Sequence, residues 1–273
     1  MPSSTSSARS AAPDATLLAR AQARQFLATT YGFDKCPAET LEALVAGGAL
    51  RCFDADEVLL RQGEAFDMLC VVLQGAFNFC QLRPDGQRNM LSVQCPGDTV
   101  GYVPLVDGSL YPYDILARAD GSQMLLIPGA HVRSLRQQHP GIGQAIEMQL
   151  AVRVRLAFAK LSREARQPID VRLAGTLLIW ARRYGVPRDG ATVIEHKISQ
   201  EDFADILGAS RQRVNFAIRE LKKAGLADFR YARIVIPDLA RLADYAGEPD
   251  TSSATPTAAP APAPEHATAA AQS

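Results

Sequence analysis

Residues 198–225 read Ile-Ser-Gln-Glu-Asp-Phe-Ala-Asp-Ile-Leu-Gly-Ala-Ser-Arg-Gln-Arg-Val-Asn-Phe-Ala-Ile-Arg-Glu-Leu-Lys-Lys-Ala-Gly, and this stretch decides the architecture. Its spacing predicts two short helices hinged at Gly208. Ser199 suits the N-cap of the first, with Asp202 three residues on as the acidic partner of a capping box. Phe203, Ile206 and Leu207 then recur at helical spacing. Gly208 supplies the tight turn and Ser210 caps the second helix. That helix buries Val214, Ala217, Ile218 and Leu221, so Arg211, Gln212, Asn215 and Arg219 face outward with Arg213 on the shoulder.

A helix-turn-helix needs this layout, with the first helix bracing the backbone and the second placing side chains against base edges in the major groove. Arg reads guanine bidentately, and Asn or Gln reads adenine. An ordinary αα-hairpin with a solvated basic face would share the helix pair. The residues that follow separate the two. Leu226-Ala227-Asp228 leads into Phe229-Arg230-Tyr231-Ala232-Arg233-Ile234-Val235-Ile236, a short hairpin with Arg233 near its tip. A winged helix-turn-helix looks like this, and the wing arginine would meet phosphate.

At 273 residues the chain has room for two domains with separate cores. Formal net charge is zero, which offers no blanket attraction to nucleic acid. The charge is uneven, however. Between 210 and 224, Arg211, Arg213, Arg219, Lys222 and Lys223 face Glu220 alone, a stripe that favours a docked face over general polyanion binding. Cys36, Cys52, Cys70, Cys80 and Cys95 form no Cys-x-x-Cys pair and are odd in number, so reduced thiols in a cytoplasmic protein are expected. No apolar run reaches membrane-spanning length, and the Ser/Ala-rich start lacks the features of a secretion signal.

Composition predicts disorder at residues 1–13 and in the Pro/Ala-rich tail, 248–273. Helices are expected at Asp14–Thr30 and Ala38–Ala46. Short strands follow from Arg51 to Ile127: Val58–Leu60, Met68–Leu73, Ala76–Leu82, Met90–Val93 and Met124–Ile127, separated by turn signals. Such spacing suggests a sandwich or jelly-roll. A long helix should run from Gly141 to about Arg166, opened by Pro140 and closed by Pro168. Ile142, Ala145, Gln149, Val152, Leu156 and Ala159 form one stripe on it, and Ile146, Leu150, Val154, Phe158 and Leu161 a second. A helix apolar on two sides needs two partners. One is its own barrel; the other is the same helix of a second subunit, through Ile142, Gln149, Val152, Leu156 and Ala159, or else the second domain of a monomer. Dimerisation would set two recognition helices roughly 34 Å apart, on successive major grooves. Asp170–Tyr184 reads as a further helix, stopped at Gly185 and packed behind the helix pair.

Barrel, long helix and winged helix-turn-helix, in that order, resemble the Crp/Fnr superfamily of bacterial transcription regulators over about residues 20–245. The matching pieces are Arg61-Gln62-Gly63-Glu64, Val72-Leu73-Gln74-Gly75, the Pro-Gly-Asp at 96–98, and Gly208-Ala209-Ser210-Arg211-Gln212-Arg213-Val214. The resemblance implies an α+β chain in three parts: a cyclic-nucleotide-binding-like β-roll (jelly-roll) at 14–138 that senses, a dimerisation helix at 139–167, and a winged helix-turn-helix at 168–247. It implies a homodimer that binds a palindromic operator on double-stranded DNA and acts through RNA polymerase.

The effector stretch departs from the family pattern. Tyr102 stands where cyclic-nucleotide binders carry Glu, and Pro112-Tyr113 stand where they carry Arg and a hydroxyl residue. No cation remains in the loop to balance a cyclic phosphate, and Asp107 and Asp114 would repel one. Ala157 and Phe158 replace the paired hydroxyl residues of the dimer helix. Cyclic AMP is therefore not the expected effector. Only Cys36 precedes the barrel, which excludes the family's iron–sulfur pattern, and His131, His139, His196 and His266 are expected to be surface or satisfied histidines rather than haem ligands. What remains is a pocket edged by Tyr102, Tyr111, Tyr113 and Phe158, either packed shut or holding an uncharged small molecule. No cofactor and no metal are expected.

On DNA, Ser210-Arg211 matches the start of the family's recognition helix, while Gln212 and Phe216 replace a Glu and an Arg of one branch. Arg211 is expected on guanine, Gln212 and Asn215 on bases, and Ser199, Gln200, Arg219 and Arg233 on phosphate, with Arg213 suited to either. A cupin-like metal enzyme would need His and Glu converging from barrel strands, and this barrel offers Glu57 and Glu64 without a histidine. No phosphate loop or nucleophile elbow appears.

Overall fold

The structure, a computed structural model, describes residues 13–82, 88–164, 167–195, 198–230 and 233–247. The segments expected to be disordered at the two ends of the chain fall largely outside these residues, as do His196, His266 and the side chain of Ala159.

Two helices, α1 (Pro13–Thr29) and α2 (Ala38–Ala46), lead into a barrel of eight strands. These are β1 (Ala49–Phe53), β2 (Val58–Leu60), β3 (Met68–Gln74), β4 (Phe77–Leu82), β5 (Arg88–Gln94), β6 (Thr99–Val100), β7 (Asp114–Ala117) and β8 (Ser122–Pro128), with α3 (Tyr102–Asp107) between β6 and β7. They form two antiparallel sheets, ordered β1-β8-β3-β6 and β2-β7-β4-β5. β3 shows why its sequence is apolar without alternation. Leu69, Val71 and Leu73 pack against the helical layer, while Cys70 and Val72 point into the core between the sheets. A strand covered on both faces cannot display a polar side. Gly101 is fixed by a close approach: its φ is 102° and a Cβ there would lie 1.9 Å from the Met68 carbonyl oxygen.

After α4 (Gly129–Gln138) comes α5 (Pro140–Glu164), whose first half packs into the N-terminal core. The C-terminal unit comprises α6 (Ile169–Tyr184), β9 (Gly185–Arg188), β10 (Ala191–Ile194), α7 (Gln200–Leu207), α8 (Arg211–Lys223), β11 (Asp228–Arg230), β12 (Arg233–Ile236) and α9 (Leu239–Tyr245). A sheet ordered β11-β12-β10-β9 flanks the helices. Its core joins Leu173, Leu177 and Leu178 of α6 to Phe203, Val214, Leu221 and Ile236.

Candidate nucleic-acid interface

Local chemistry holds the helix pair in place. The Ser199 Oγ accepts from the Asp202 backbone N–H at 3.0 Å, and the Asp202 carboxylate accepts from the Ser199 N–H at 2.7 Å, closing the capping box in both directions. Gly208 adopts the left-handed conformation at φ 56° and ψ 43°, which ordinary residues pay for sterically. The Ser210 Oγ accepts from the Arg213 N–H at 3.4 Å and opens α8. Val214, Ala217, Ile218 and Leu221 are the buried residues of that helix.

Arg211, Gln212, Arg213 and Arg219 are exposed on its other side, and Asn215 is half-buried. Ser199 and Ser210 are exposed, Gln200 is half-buried, and Arg233 stands exposed at the start of β12, paired across the wing with Arg230. Among the described residues, no ion pair engages Arg211, Arg213, Arg219 or Arg233. Lys222 differs, donating to the Phe229 carbonyl at 3.2 Å and lying 3.6 Å from Asp228. Arg230 is also spent on Asp228, at 2.7 Å, and that hydrogen bond holds the Asp228 carboxyl below its usual range. Phe216 joins the open face as an exposed apolar residue. The signal was readable, because the buried stripe of α8 is complete without it.

The C-terminal unit is docked on the barrel, a feature the sequence did not disclose. Ile206 of α7, with Trp180 and Tyr184 of α6, covers Met90, Val93, Cys95 and Leu116 on the outer side of one sheet. Asp98, buried in the Pro-Gly-Asp turn, accepts from the Tyr184 hydroxyl at 2.6 Å and pairs with Arg183 at 2.6 Å. A second tie joins Arg118 to Asp202, the capping carboxylate of α7.

The residues expected around an effector pocket divide. Tyr111 and Tyr113 meet at 6.3 Å, with Phe79 at 6.4 and 6.5 Å from them, inside the barrel core. Tyr102 is buried, its hydroxyl donating to Thr99 Oγ1. Phe158 does not complete the set: it is 65% exposed on α5. Arg153, which the sequence reading passed over, lies 5.1 Å from the Tyr102 ring centroid and donates to the Thr99 carbonyl. His131 bonds the Ala43 carbonyl at 2.9 Å and His139 bonds Thr40 at 3.2 Å.

Burial pushes the Tyr102 hydroxyl up to about 12, with Arg153 and Thr99 opposing the shift. The folded state therefore holds this proton more tightly than the unfolded chain, whose tyrosines titrate near ~10. Stability should be full below about pH 10 and decline as pH rises towards the folded value. Denaturant melts at stepped alkaline pH should show the decline, and Tyr102→Phe should lessen it.

The expected dimer stripe needs correction at two residues. Ile142 is 0% exposed within the protomer's own core, and buried Gln149 donates to the Tyr31 carbonyl at 2.6 Å. The N-terminal half of α5 is packed on both stripes by its own domain, through Ile142, Ala145, Ile146 and Leu150. Val152 and Leu156 are half-buried. Among the described residues of α5, the exposed large apolar side chains are Val154, at 52%, and Phe158.

Comparison with known proteins follows the same division of the chain. Residues 50–139 match the cyclic nucleotide-binding domain family, and residues 171–245 match the Crp-like helix-turn-helix domain family. The CRP-like cAMP-activated global transcriptional regulator of Mycobacterium tuberculosis is 27% identical over 191 residues, covering 70% of this chain and 85% of that protein. The transcriptional activator protein FnrL of Cereibacter sphaeroides is 24% identical over 219 residues, covering 78% and 87% respectively. The fold is similar to that of FixK2 from Bradyrhizobium japonicum, with a TM-score of 0.64 and 22% identity over 72% of this chain and 96% of that one.

Proposed function

Because the chain belongs to the Crp/Fnr superfamily of transcription regulators and carries its helix-turn-helix DNA-binding domain, we propose that it acts as a cytoplasmic homodimer on a palindromic operator, without cyclic AMP as effector. The observation that carries this reading is the open face of α8. Arg211, Gln212, Arg213 and Arg219 are exposed on a helix whose opposite side is buried, and cations left free of ion pairs suit a polyanion. Arg211 takes guanine, Gln212 and Asn215 take bases, and Phe216 meets a thymine methyl. Ser199, Gln200, Arg219 and Arg233 hold phosphate, with Ser210 presenting the N-terminus of α8. Arg213 serves either purpose.

In this reading residues 14–138 are the sensory domain, 139–167 the dimerisation helix and 168–247 the DNA-binding domain. Pairing runs through Val152 and Leu156 of the expected stripe, together with Val154 and Phe158, whose exposure leaves an apolar surface uncovered by the described residues. The relatives are transcription regulators by name, and action through RNA polymerase is what the resemblance to the superfamily implies for this chain. The M. tuberculosis relative is cAMP-activated by name. Here the stretch in which the resemblance places the effector loop carries the aromatic packing around Tyr111 and the Tyr102–Thr99 bond, which supports a different control.

Footprinting of the purified protein across genomic DNA, with and without cell extract, should return a two-fold symmetric operator. On that operator Arg211→Ala should cost about 1–3 kcal/mol and relax one base position. Arg233→Ala should weaken all sequences alike and flatten the salt slope by about one unit. Unchanged affinity in the Arg211 variant contradicts the base assignment. A protein that sediments as one subunit and shows no preference among fragments at low salt contradicts the whole reading. Saturable micromolar binding of cyclic AMP by calorimetry contradicts the effector statement.

A further inference from the structure

Beside α8, where the start of α6 meets it, lies an open notch of about 410 Å³ lined by Pro168, Ile169, Asp170, Gln212, Arg213 and Phe216. Phe216 is 50% exposed there, and Pro168, Gln212 and Arg213 are exposed with it. The end of α9 is tied to this notch. The Tyr245 hydroxyl donates to the Asp170 carboxylate, and the described residues stop two positions later, at Gly247. Residues 248–273 follow. They carry Glu248, Asp250 and Glu265 without a lysine or arginine, and they include the run Thr255-Pro256-Thr257-Ala258-Ala259-Pro260-Ala261-Pro262-Ala263-Pro264.

We propose that the chain's own C-terminal segment docks in this notch, its Pro/Ala run lying on Phe216 and Pro168 and its leading carboxylates, Glu248 and Asp250, facing Arg213 and Arg211. Three observations select this occupant. The first is connection: the Tyr245–Asp170 bond starts the segment beside the notch, and at about 3.1 Å per residue in the polyproline II form residues 255–264 alone extend ~30 Å, so reach is no obstacle. The second is charge. Among the described residues no ion pair engages Arg211 or Arg213, while Asp170, the notch's own carboxylate, is taken up by Tyr245. The third is chemistry, because Pro-rich segments dock on exposed aromatic side chains in a preformed extended conformation that costs little entropy. Docked there, the segment covers Gln212, Arg213 and Phe216, so it competes with an operator for the face of α8. That consequence rests on the proposed DNA binding; the docking itself does not.

The full chain carrying the photocrosslinker p-benzoylphenylalanine in place of Ala261, irradiated without DNA, should link to Pro168, Gln212 or Phe216, as mapped by peptide mass spectrometry. The yield should not depend on protein concentration. Phe216→Ala should lower the yield at Pro168 and Gln212 severalfold, and so should Pro260→Ala, Pro262→Ala and Pro264→Ala combined. Three results overturn the proposal: no link, links spread over other surfaces, or a yield that rises with protein concentration, as when a second copy fills the notch. The triple proline variant, without the crosslinker, should bind duplex DNA about two- to threefold more tightly than the parent, because a millimolar contact on a short tether is occupied about half the time or more. Unchanged affinity overturns the competition. Notch links in a protein that binds no DNA uphold the docking and contradict the operator reading instead, so the two failures are distinguishable.

Discussion

Replacing Phe203 with alanine is expected to cost about 3–5 kcal/mol and to melt the winged helix-turn-helix while the barrel stays folded. Phe203 is buried at the meeting point of three elements. Its ring centroid is 5.4 Å from that of Trp180 on α6 and 6.1 Å from that of Phe229 on β11. Truncation opens a cavity that neighbours cannot close, because α6 is itself held by Leu173, Leu177 and Leu178 in the same core. It also removes aromatic contacts that add to the transfer term. Calorimetry should resolve two transitions where the parent shows one or a closely merged pair, the earlier one carrying the Trp180 signal. DNA binding should disappear above that first transition. Phe203→Leu, which keeps most of the volume, should retain binding with a far smaller loss. A Phe203→Ala protein with an unchanged melting profile would show that this core does not hold the recognition helix in place.

The helix pair could be read in the sequence because its determinants are local. A capping box, a glycine at the hinge and a buried stripe lie within one stretch, and each acts on its own neighbours in the chain. Other elements could not be read for identifiable reasons. α3 is six residues long and sits between Gly101 and Gly108, both left-handed, so the stretch reads as punctuation. The β9–β10 hairpin did carry a signal, Asp189-Gly190, with both residues at positive φ, but its strands are too short to show alternation. The stripes on α5 differ from expectation at two residues, for another reason. A helix apolar on two sides states that both are covered without saying by what, and only the folded chain shows that Ile142 and Gln149 face inward. Asp98 illustrates the furthest limit. It belonged to a recognisable Pro-Gly-Asp turn, yet its partners Arg183 and Tyr184 come from another domain and no local pattern announces them.

Those partners make Asp98→Ala the most informative change at the domain boundary. Removing one member of a buried ion pair strands the other and costs about 3–5 kcal/mol in the fully buried case. Arg183 is about a third exposed, at 32%, so water recovers part of its solvation and the expected loss is nearer ~2 kcal/mol. The loss should appear as undocking more than as unfolding, because each domain keeps its own core. Two further effects act in the same direction. The Tyr184 hydroxyl loses its acceptor, and the Cys95 N–H loses the carboxylate that receives it at 2.8 Å. Trp180 and Ile206 would then meet solvent, so emission should shift to the red and small-angle scattering should report a larger radius. Asp98→Asn keeps oxygen acceptance but not charge, and should fall between parent and alanine variant. Arg118→Gln should add to the effect by freeing Asp202 from the barrel while leaving its bond to Ser199 intact. In the proposed dimer, docking sets the direction in which each recognition helix points. Asp98→Ala should therefore tolerate operators whose half-site spacing is altered, where the parent rejects them. Equal spacing preference in the two proteins, together with a red-shifted Trp180, would mean that α5 alone sets the geometry and that the Asp98 contact serves stability only.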